Sequence, residues 1–156
     1  MCQIRSSGPL IINRHLTDWK CNATKLHVVE YGKPCGILVD ASRVAVGCCL
    51  IQWDDRGVEK PIAFASSKLN PTQMKCSPTE REAYAVIFAL RKYHNFIFST
   101  QITIFSDHNP LLYLKECAPK SAKLTRWALG LQEFDIIWSY RPGCKNQAAD
   151  CLSRLG

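Results

Sequence analysis

The chain has 156 residues, of which 47% are hydrophobic and 21% are charged. This length supports one domain with a hydrophobic core and leaves little room for a second full domain, and the ordinary composition excludes a low-complexity or collagen-like chain. Because 20 Lys and Arg residues outnumber 13 Asp and Glu residues, the net charge is +7 and the pI is near 9.0. Such a charge favours nucleic acid as a partner, since a basic surface attracts phosphates, although an inert basic surface has the same signature.

The sequence gives little support for a membrane span or for a zinc site. No apolar run reaches the roughly 18 residues that a membrane span requires, and the polar residues 1–7 lack the apolar core of a signal peptide. The nine cysteines form no Cys-x-x-Cys pair and no Cys/His spacing typical of zinc sites. An odd number of cysteines, mostly in apolar stretches, is typical of reduced core thiols. The sequence therefore predicts an intracellular protein that contacts no membrane.

The N-terminal half predicts a lead-in followed by a strand meander. Residues 1–25 show no clear period and are expected to form an irregular lead-in, so that the folded domain begins at residue 26. Three apolar runs separated by turn residues then predict three antiparallel strands. Pro61 favours an outer position for the third strand, because proline cannot donate to a sheet hydrogen bond. The three runs cover residues 36–40, 44–53 and 58–66.

A long amphipathic helix is predicted next. Ser77 and Pro78 are typical of an N-cap and a first helical residue, and the helix is expected to run to about Phe96. Glu82 borders the apolar stripe, so its carboxylate is expected to face a cleft beside the sheet, whereas Glu80 lies in the first turn, where it favours the helix dipole. The stripe consists of Ala83, Val86, Ile87, Leu90 and either Tyr93 or His94.

The second half of the chain completes a mixed sheet. Residues 101–106 predict a fourth strand, which the preceding helix connects in parallel fashion. The order β-β-β-α-β-α-α-β-α predicts an α/β fold with a five-stranded mixed sheet, three strands antiparallel and then two parallel, flanked by helices. The remaining elements are helices at 110–114 and 123–134, a strand at 136–140 and a helix at 146–155.

Four acidic residues are placed where surface exposure does not explain them. Asp40 and Asp107 each end an apolar strand, Glu82 lies on the long helix, and Asp150 lies early in the last helix. A buried ionised carboxylate is costly unless it is paired or bound to metal, so several such groups at one site would favour Mg²⁺ or Mn²⁺. The set predicts a nuclease that depends on divalent metal.

Six short strings of the sequence carry a more specific signal. They are Val39-Asp40-Ala41-Ser42, Pro61-Ile62-Ala63-Phe64-Ala65-Ser66, Thr79-Glu80-Arg81-Glu82-Ala83, Ser106-Asp107-His108, Arg126-Trp127, and Arg141-Pro142-Gly143 through Asn146-Gln147-Ala148-Ala149-Asp150-Cys151-Leu152-Ser153-Arg154. In this order they resemble the ribonuclease H domain of gypsy-type LTR retrotransposon Pol polyproteins. The resemblance implies a ribonuclease H-like fold over residues 26–156, with 1–25 as the end of a preceding connection segment.

The resemblance also implies an activity. Domains of that family follow a reverse transcriptase and cut the RNA strand of RNA–DNA hybrids with two Mg²⁺ ions, for which Mn²⁺ substitutes. By this resemblance Asp40 would bridge both ions, Glu82 and Asp107 would complete one site, and Asp150 the other. One ion lowers the pKa of an attacking water while the second stabilises the leaving 3′ oxygen, at a separation of about 3.5–4 Å. Reverse transcriptase and integrase domains of the same polyprotein are the implied partners, in the cytoplasm, the nucleus or a retroelement particle.

Other roles stay open at this point. Ser42, Arg43 and Ser66 are candidates for contacts with phosphate or sugar, where the 2′-OH distinguishes RNA from DNA, although polar turn residues need no such role. The alternative function is a catalytically silent module derived from a retroelement, which binds nucleic acid or connects other domains. The intact set of four acids argues against that alternative.

Three further residues are assigned no part in catalysis. His108 is expected to cap the turn at Asn109-Pro110 rather than act as a base. Trp127 and Trp138 could stack on bases, but their helical and strand spacing favours positions in the core.

Overall fold

The computed structural model describes residues 25–142 and 145–154, which form a five-stranded sheet in the order β3-β2-β1-β4-β5 with helices on both faces. The strands are β1 (Cys35–Ala41), β2 (Ala45–Trp53), β3 (Glu59–Lys68), β4 (Ile102–Ser106) and β5 (Ile136–Tyr140). The helices are α1 (Pro71–Met74), α2 (Pro78–Ile97), α3 (Pro110–Cys117), α4 (Ala122–Leu131) and α5 (Gln147–Arg154), with a 3₁₀ turn at Ala118–Lys120.

The strand pairing confirms the predicted mixed sheet. β1 pairs antiparallel with β2, and β2 pairs antiparallel with β3, while β4 lies parallel to both β1 and β5. β3 occupies an edge of the sheet, as Pro61 predicted. Because β1 and β4 are parallel neighbours, their carboxyl ends lie at the same edge of the sheet, which brings Asp40 and Asp107 to one side of the molecule.

The larger core lies between α2 and the sheet. Ser77 caps α2, since its Oγ accepts a hydrogen bond from the amide of Glu80 at 3.2 Å. The predicted stripe is buried in full, and Tyr93 rather than His94 completes it. The Tyr93 hydroxyl lies 3.1 Å from the carbonyls of Cys48 and Ala63, so one polar group joins α2 to both β2 and β3.

Three helices differ from the sequence-based prediction: α1 was not predicted, α3 continues to Cys117 instead of ending at Leu114, and α4 is shorter than expected. α1 was missed because it has four residues and buries none of them, so it leaves no apolar period. A capping box holds it, in which Asn70 and Gln73 exchange backbone-to-side-chain hydrogen bonds. α4 ends at Leu131 instead of residue 134, where the amide of Phe134 bonds to the Leu131 carbonyl at 3.2 Å and turns the chain toward β5.

A smaller core lies on the opposite face of the sheet, under α5. It contains Leu38, Cys49, Ile51, Ala148 and Ala149. Gly47 on β2 allows the close approach of the helix, because a Cβ atom there would lie 2.5 Å from the carbonyl oxygen of Ala149. Only a residue without a side chain fits at that distance, so Gly47 fixes how closely α5 approaches the sheet.

Three predictions fall partly on residues that the structure does not describe: the lead-in, the reduced cysteines and the absence of a membrane span. The predicted lead-in, except Lys25, lies outside the described residues and stays a prediction. Of the described cysteines, Cys35, Cys48, Cys76 and Cys117 are free thiols. Among the described residues, none of the helices combines the length and the apolar character that crossing a membrane requires.

A candidate metal centre at the carboxyl edge of the sheet

An open cleft of about 760 Å³ lies where the ends of β1 and β4 meet the first turns of α2 and the inner side of α5. All four acids that the sequence singled out line this cleft, and they come from four different elements or their ends. They are Asp40, Glu82, Asp107 and Asp150. The fold therefore brings together residues that are up to 110 positions apart in the chain.

Glu82 is the most deeply buried of these acids, with 5% of its surface exposed. Its Oε1 accepts a hydrogen bond from the amide of Ala41 at 3.2 Å, whereas its buried Oε2 has no hydrogen-bond partner. Burial, reinforced by the nearby carboxylates of Asp40 and Asp107, raises the pKa of Glu82 to about 8. A cation in the cleft would relieve this repulsion and supply the missing partner.

Asp40 lies near the end of β1, and its Oδ2 accepts a hydrogen bond from the hydroxyl of Ser153. Burial raises the pKa of Asp40, the Ser153 hydrogen bond opposes this rise, and the negative charges of Asp150 and Asp107 add to it. Asp40 therefore interacts electrostatically with Asp107 after β4 and with Asp150 on α5.

Asp107 and the residue after it form a close pair, in which Asp107 Oδ1 lies 2.7 Å from Nδ1 of His108. One ligand atom each from Glu82, Asp107 and His108 lie within 4.8 Å of one another. Within residues 25–142 and 145–154, no equally compact group of three includes Asp40 or Asp150. The side chains of these two acids are instead held by residues of α5.

Asp150 lies on the inner side of α5, where Arg154 donates a hydrogen bond from Nε to its Oδ1 at 2.7 Å. The start of this helix is tied to β1, because Nδ2 of the buried Asn146 donates to the carbonyl of Val39 at 2.7 Å. Val39 directly precedes Asp40, so Asn146 sets the position of α5 relative to the carboxylate at the end of β1.

Glu80, the alternative to Glu82, lies outside this cleft. Its Oε1 pairs with Nζ of Lys123 at 2.8 Å, and Lys123 also lies 4.7 Å from the centroid of the Trp127 ring. Glu80 thus joins α2 to α4, while Glu82, two residues later, faces the acids.

The three candidate nucleic-acid contacts divide in the structure. Ser42 and Arg43 line the cleft at the turn between β1 and β2. The Ser42 hydroxyl accepts hydrogen bonds from the amides of Val44 and Ala45 at 3.2 and 3.0 Å, so it also shapes the turn, whereas Arg43 is exposed. Ser66 lies on the edge strand β3, where it pairs with Gly47 of β2, and it does not line the cleft. Their roles in nucleic-acid binding stay predictions.

Sequence reasoning missed the placement of two further residues. His108 does not cap the following turn; Asn109 does, through a hydrogen bond of 3.4 Å from the amide of Leu112 to its Oδ1, while His108 contacts Asp107. Ser153 was not considered at all. One signal was available for it, because Ser153 follows Asp150 by three residues and so shares its side of a helix.

The donor chemistry of the cleft fits a small divalent cation. Carboxylate oxygens are the ligands that Mg²⁺ prefers in proteins, and four such groups converge here. The buried Oε2 of Glu82 has no hydrogen-bond partner, so it is available to bind a cation. In the absence of a cation, the charges of neighbouring acids add to the effect of burial and raise the pKa values of Asp40 and Glu82.

The chain matches one known family model and several retrotransposon polyproteins. Residues 30–134 match the family model of the RNase H-like domain found in reverse transcriptase. The chain is 35% identical over 141 residues to the retrovirus-related Pol polyprotein from transposon 412 of Drosophila melanogaster, an alignment that covers 90% of this chain and 11% of the polyprotein. The chain thus spans a small part of that relative's length.

Solved structures share the fold. The foamy viral protease-reverse transcriptase in complex with RNA/DNA hybrid is similar with a TM-score of 0.63 and 22% identity, over 75% of this chain and 16% of that one. RNase H1 from the halophilic archaeon Halobacterium salinarum is similar with a TM-score of 0.51 and 21% identity, over 76% of this chain and 92% of that one. These similarities confirm the predicted ribonuclease H-like fold.

Proposed function

The chain belongs to the family of RNase H-like domains found in reverse transcriptases, of the type carried by gypsy-type retrotransposon Pol polyproteins, and we propose on this basis that it hydrolyses the RNA strand of RNA–DNA hybrids. The main support is the convergence of four carboxylates in one cleft, one of which is buried and has an unsatisfied oxygen. A structural connector would gain nothing from this arrangement, since burying acids beside one another costs stability.

The residues that would hold divalent metal are Asp40, Glu82, Asp107 and Asp150, with Mg²⁺ as the expected ion and Mn²⁺ as a substitute. Bound there, two such ions would lower the pKa of the attacking water and stabilise the leaving 3′ oxygen. Glu82 is suited to bind a cation tightly, because burial keeps water away from its carboxylate. Asp150 is more exposed and already shares a hydrogen bond with Arg154.

The charge of the chain suits an anionic duplex. Four of the 13 acidic residues lie in the cleft, so the rest of the surface is more basic than the net charge of +7 indicates. Phosphates would therefore be attracted to the protein as a whole and repelled only at the acids, until cations neutralise them. Arg43, which is exposed at the rim of the cleft, is placed to contact a phosphate.

We place this activity within a longer Pol polyprotein, with reverse transcriptase and integrase domains as partners. The relative from transposon 412 is a retrovirus-related Pol polyprotein by its name, and the foamy viral protease-reverse transcriptase of similar fold was solved with an RNA/DNA hybrid. Both observations support a hybrid made during reverse transcription as the substrate.

The substrate class is tested with one RNA sequence presented in three ways. The labelled RNA is offered as a single strand, in an RNA duplex and in an RNA–DNA hybrid, each with Mg²⁺ and with EDTA. We expect cleavage of the hybrid alone, with Mg²⁺ alone, and products that end in a 3′-hydroxyl and a 5′-phosphate. Equal cleavage of all three substrates, or cleavage in EDTA, would contradict the proposed function.

A further inference from the structure

Ser153 is fully buried, and its hydroxyl lies between the side chain of Asp40 and the backbone carbonyl of Asp150. Its oxygen is within hydrogen-bonding distance of Asp40 Oδ2 and lies 2.9 Å from the carbonyl oxygen of Asp150. A hydroxyl has one proton, and an ionised carboxylate has none to donate. In the ionised site, the charged carboxylate of Asp40 is a stronger acceptor than the neutral carbonyl of Asp150, so Ser153 donates its one proton to Asp40.

The backbone packing keeps this hydroxyl in place. Gly47 pairs with Asp40 in the sheet, and a Cβ atom at Gly47 would lie 2.6 Å from Leu152 Cβ and 2.7 Å from the amide nitrogen of Ser153. The carbonyl of Ser153 also accepts a hydrogen bond from the hydroxyl of Ser42. Contacts with β2 and with the turn after β1 thus hold the residue from two sides.

A carboxylate of aspartate rotates easily about its last torsion, because that torsion has broad minima. A hydrogen bond from a fixed, buried donor to Oδ2 restricts this rotation and so sets the direction of both oxygens. Groups that orient a metal ligand in this way commonly change metal affinity when they are removed.

We infer that Ser153 is a positioning residue, which holds the Asp40 carboxylate in the orientation that binds metal. This inference rests on the proposed function, since it assumes a cation at Asp40. Ser153 itself contacts neither substrate nor cation in this account. It acts through Asp40, and it couples the last helix to the carboxylate at the end of β1.

A purely structural role for Ser153 predicts a different result. In that case its removal would lower the stability of the protein with and without metal by the same amount. A positioning role predicts that the gain in stability on adding metal becomes smaller. The two roles are distinguishable without any substrate.

The experiment compares Ser153→Ala, Ser153→Thr and Leu152→Val with the wild-type chain. Alanine is a better helix former than serine, so α5 is retained in Ser153→Ala, whereas Ser153→Thr keeps the hydroxyl. Leu152→Val loosens the packing of a neighbouring, fully buried residue and leaves the hydroxyl in place. For each protein, the melting temperature is measured in EDTA and over a range of Mg²⁺ concentrations, and hybrid cleavage is then measured over the same range.

We expect Ser153→Ala to need about tenfold or more Mg²⁺ for half of the maximal stabilisation and half of the maximal cleavage. Ser153→Thr and Leu152→Val should stay close to the wild-type requirement, although Leu152→Val should melt earlier in EDTA. An unchanged Mg²⁺ requirement in Ser153→Ala, or an equal shift in Leu152→Val or Ser153→Thr, would overturn the inference alone. If Mg²⁺ does not stabilise even the wild-type chain, the metal site itself and the inference both fail.

Discussion

Replacing Glu82 by glutamine should stabilise the metal-free protein, and the gain should grow with pH. The pKa of Glu82 in the folded protein is about 8, compared with the ordinary value of 4.5. Because the folded-state pKa is raised, the favourable contribution of Glu82 is fully present below pH 4.5 and is lost as the pH rises through 8. Each unit of pKa difference corresponds to 1.36 kcal/mol, so about 5 kcal/mol of unfolding free energy is lost over this window.

Glu82→Gln has no ionisation at this position and escapes this loss. The unfolding free energy of the variant should therefore rise relative to that of the wild type by roughly 1.4 kcal/mol per pH unit between about pH 5 and pH 8, and then level off. The difference is measured by urea unfolding in EDTA, followed by circular dichroism at pH 5 to 9. Glu116→Gln serves as the control, because Glu116 is exposed on α3.

A difference between Glu82→Gln and the wild type that does not change with pH would refute the reasoning, and so would one that shrinks as the pH rises. Addition of Mg²⁺ provides a second check. It should stabilise the wild type more at pH 8.5 than at pH 6, since binding at lower pH must first displace a proton from Glu82.

Two further outcomes follow from the packing of α5 and from the charge of the chain. Gly47→Ala should lower the unfolding free energy by about 1–3 kcal/mol and reduce hybrid cleavage, because the new Cβ atom would lie 2.5 Å from the carbonyl oxygen of Ala149. Gly130→Ala is the control, because a Cβ atom at Gly130 meets no atom within 4 Å. Equal effects of the two substitutions on urea unfolding and on cleavage would contradict this explanation. Binding of the hybrid to Asp40→Asn should weaken steeply as NaCl increases, and Arg43→Ala in that background should make the dependence shallower by about one phosphate contact. A dissociation constant that does not respond to salt would exclude the basic surface as the docking face.

The fold was largely accessible from the sequence because β1 and β2 bury continuous apolar runs and the main helix buries an apolar stripe. β2, for example, is buried along eight of its nine residues, and α2 places a complete apolar stripe on the sheet. α1 was inaccessible by the same criterion, because it buries none of its residues and is held by hydrogen bonds, among them the capping box of Asn70 and Gln73. Periodicity detects burial, so it does not detect an element that buries none of its residues.

The acids of the site were accessible for a related reason. A carboxylate at the end of an apolar strand or beside an apolar stripe departs from the surrounding pattern, which is true of Asp40, Asp107 and Glu82 alike. Ser153 lacked such a signal, since a serine near the end of a helix is ordinary. Its importance depends on how closely α5 approaches Gly47, a tertiary distance that no local pattern encodes.

The most direct test of the proposed function is cleavage of a labelled RNA–DNA hybrid by the purified chain and by Asp40→Asn. Asp55→Asn, the same change at an exposed residue of the turn between β2 and β3, is the matched control, and all three proteins are assayed with Mg²⁺, with Mn²⁺ and with EDTA. We expect the wild type and Asp55→Asn to cut the RNA strand with either metal, and Asp40→Asn to be inactive while it folds and binds the hybrid. If the folded wild type binds the hybrid but does not cut it with either metal, the proposed function is contradicted and a catalytically silent binding module is favoured. If Asp40→Asn cuts the RNA as well as the wild type does, the activity does not come from this cleft.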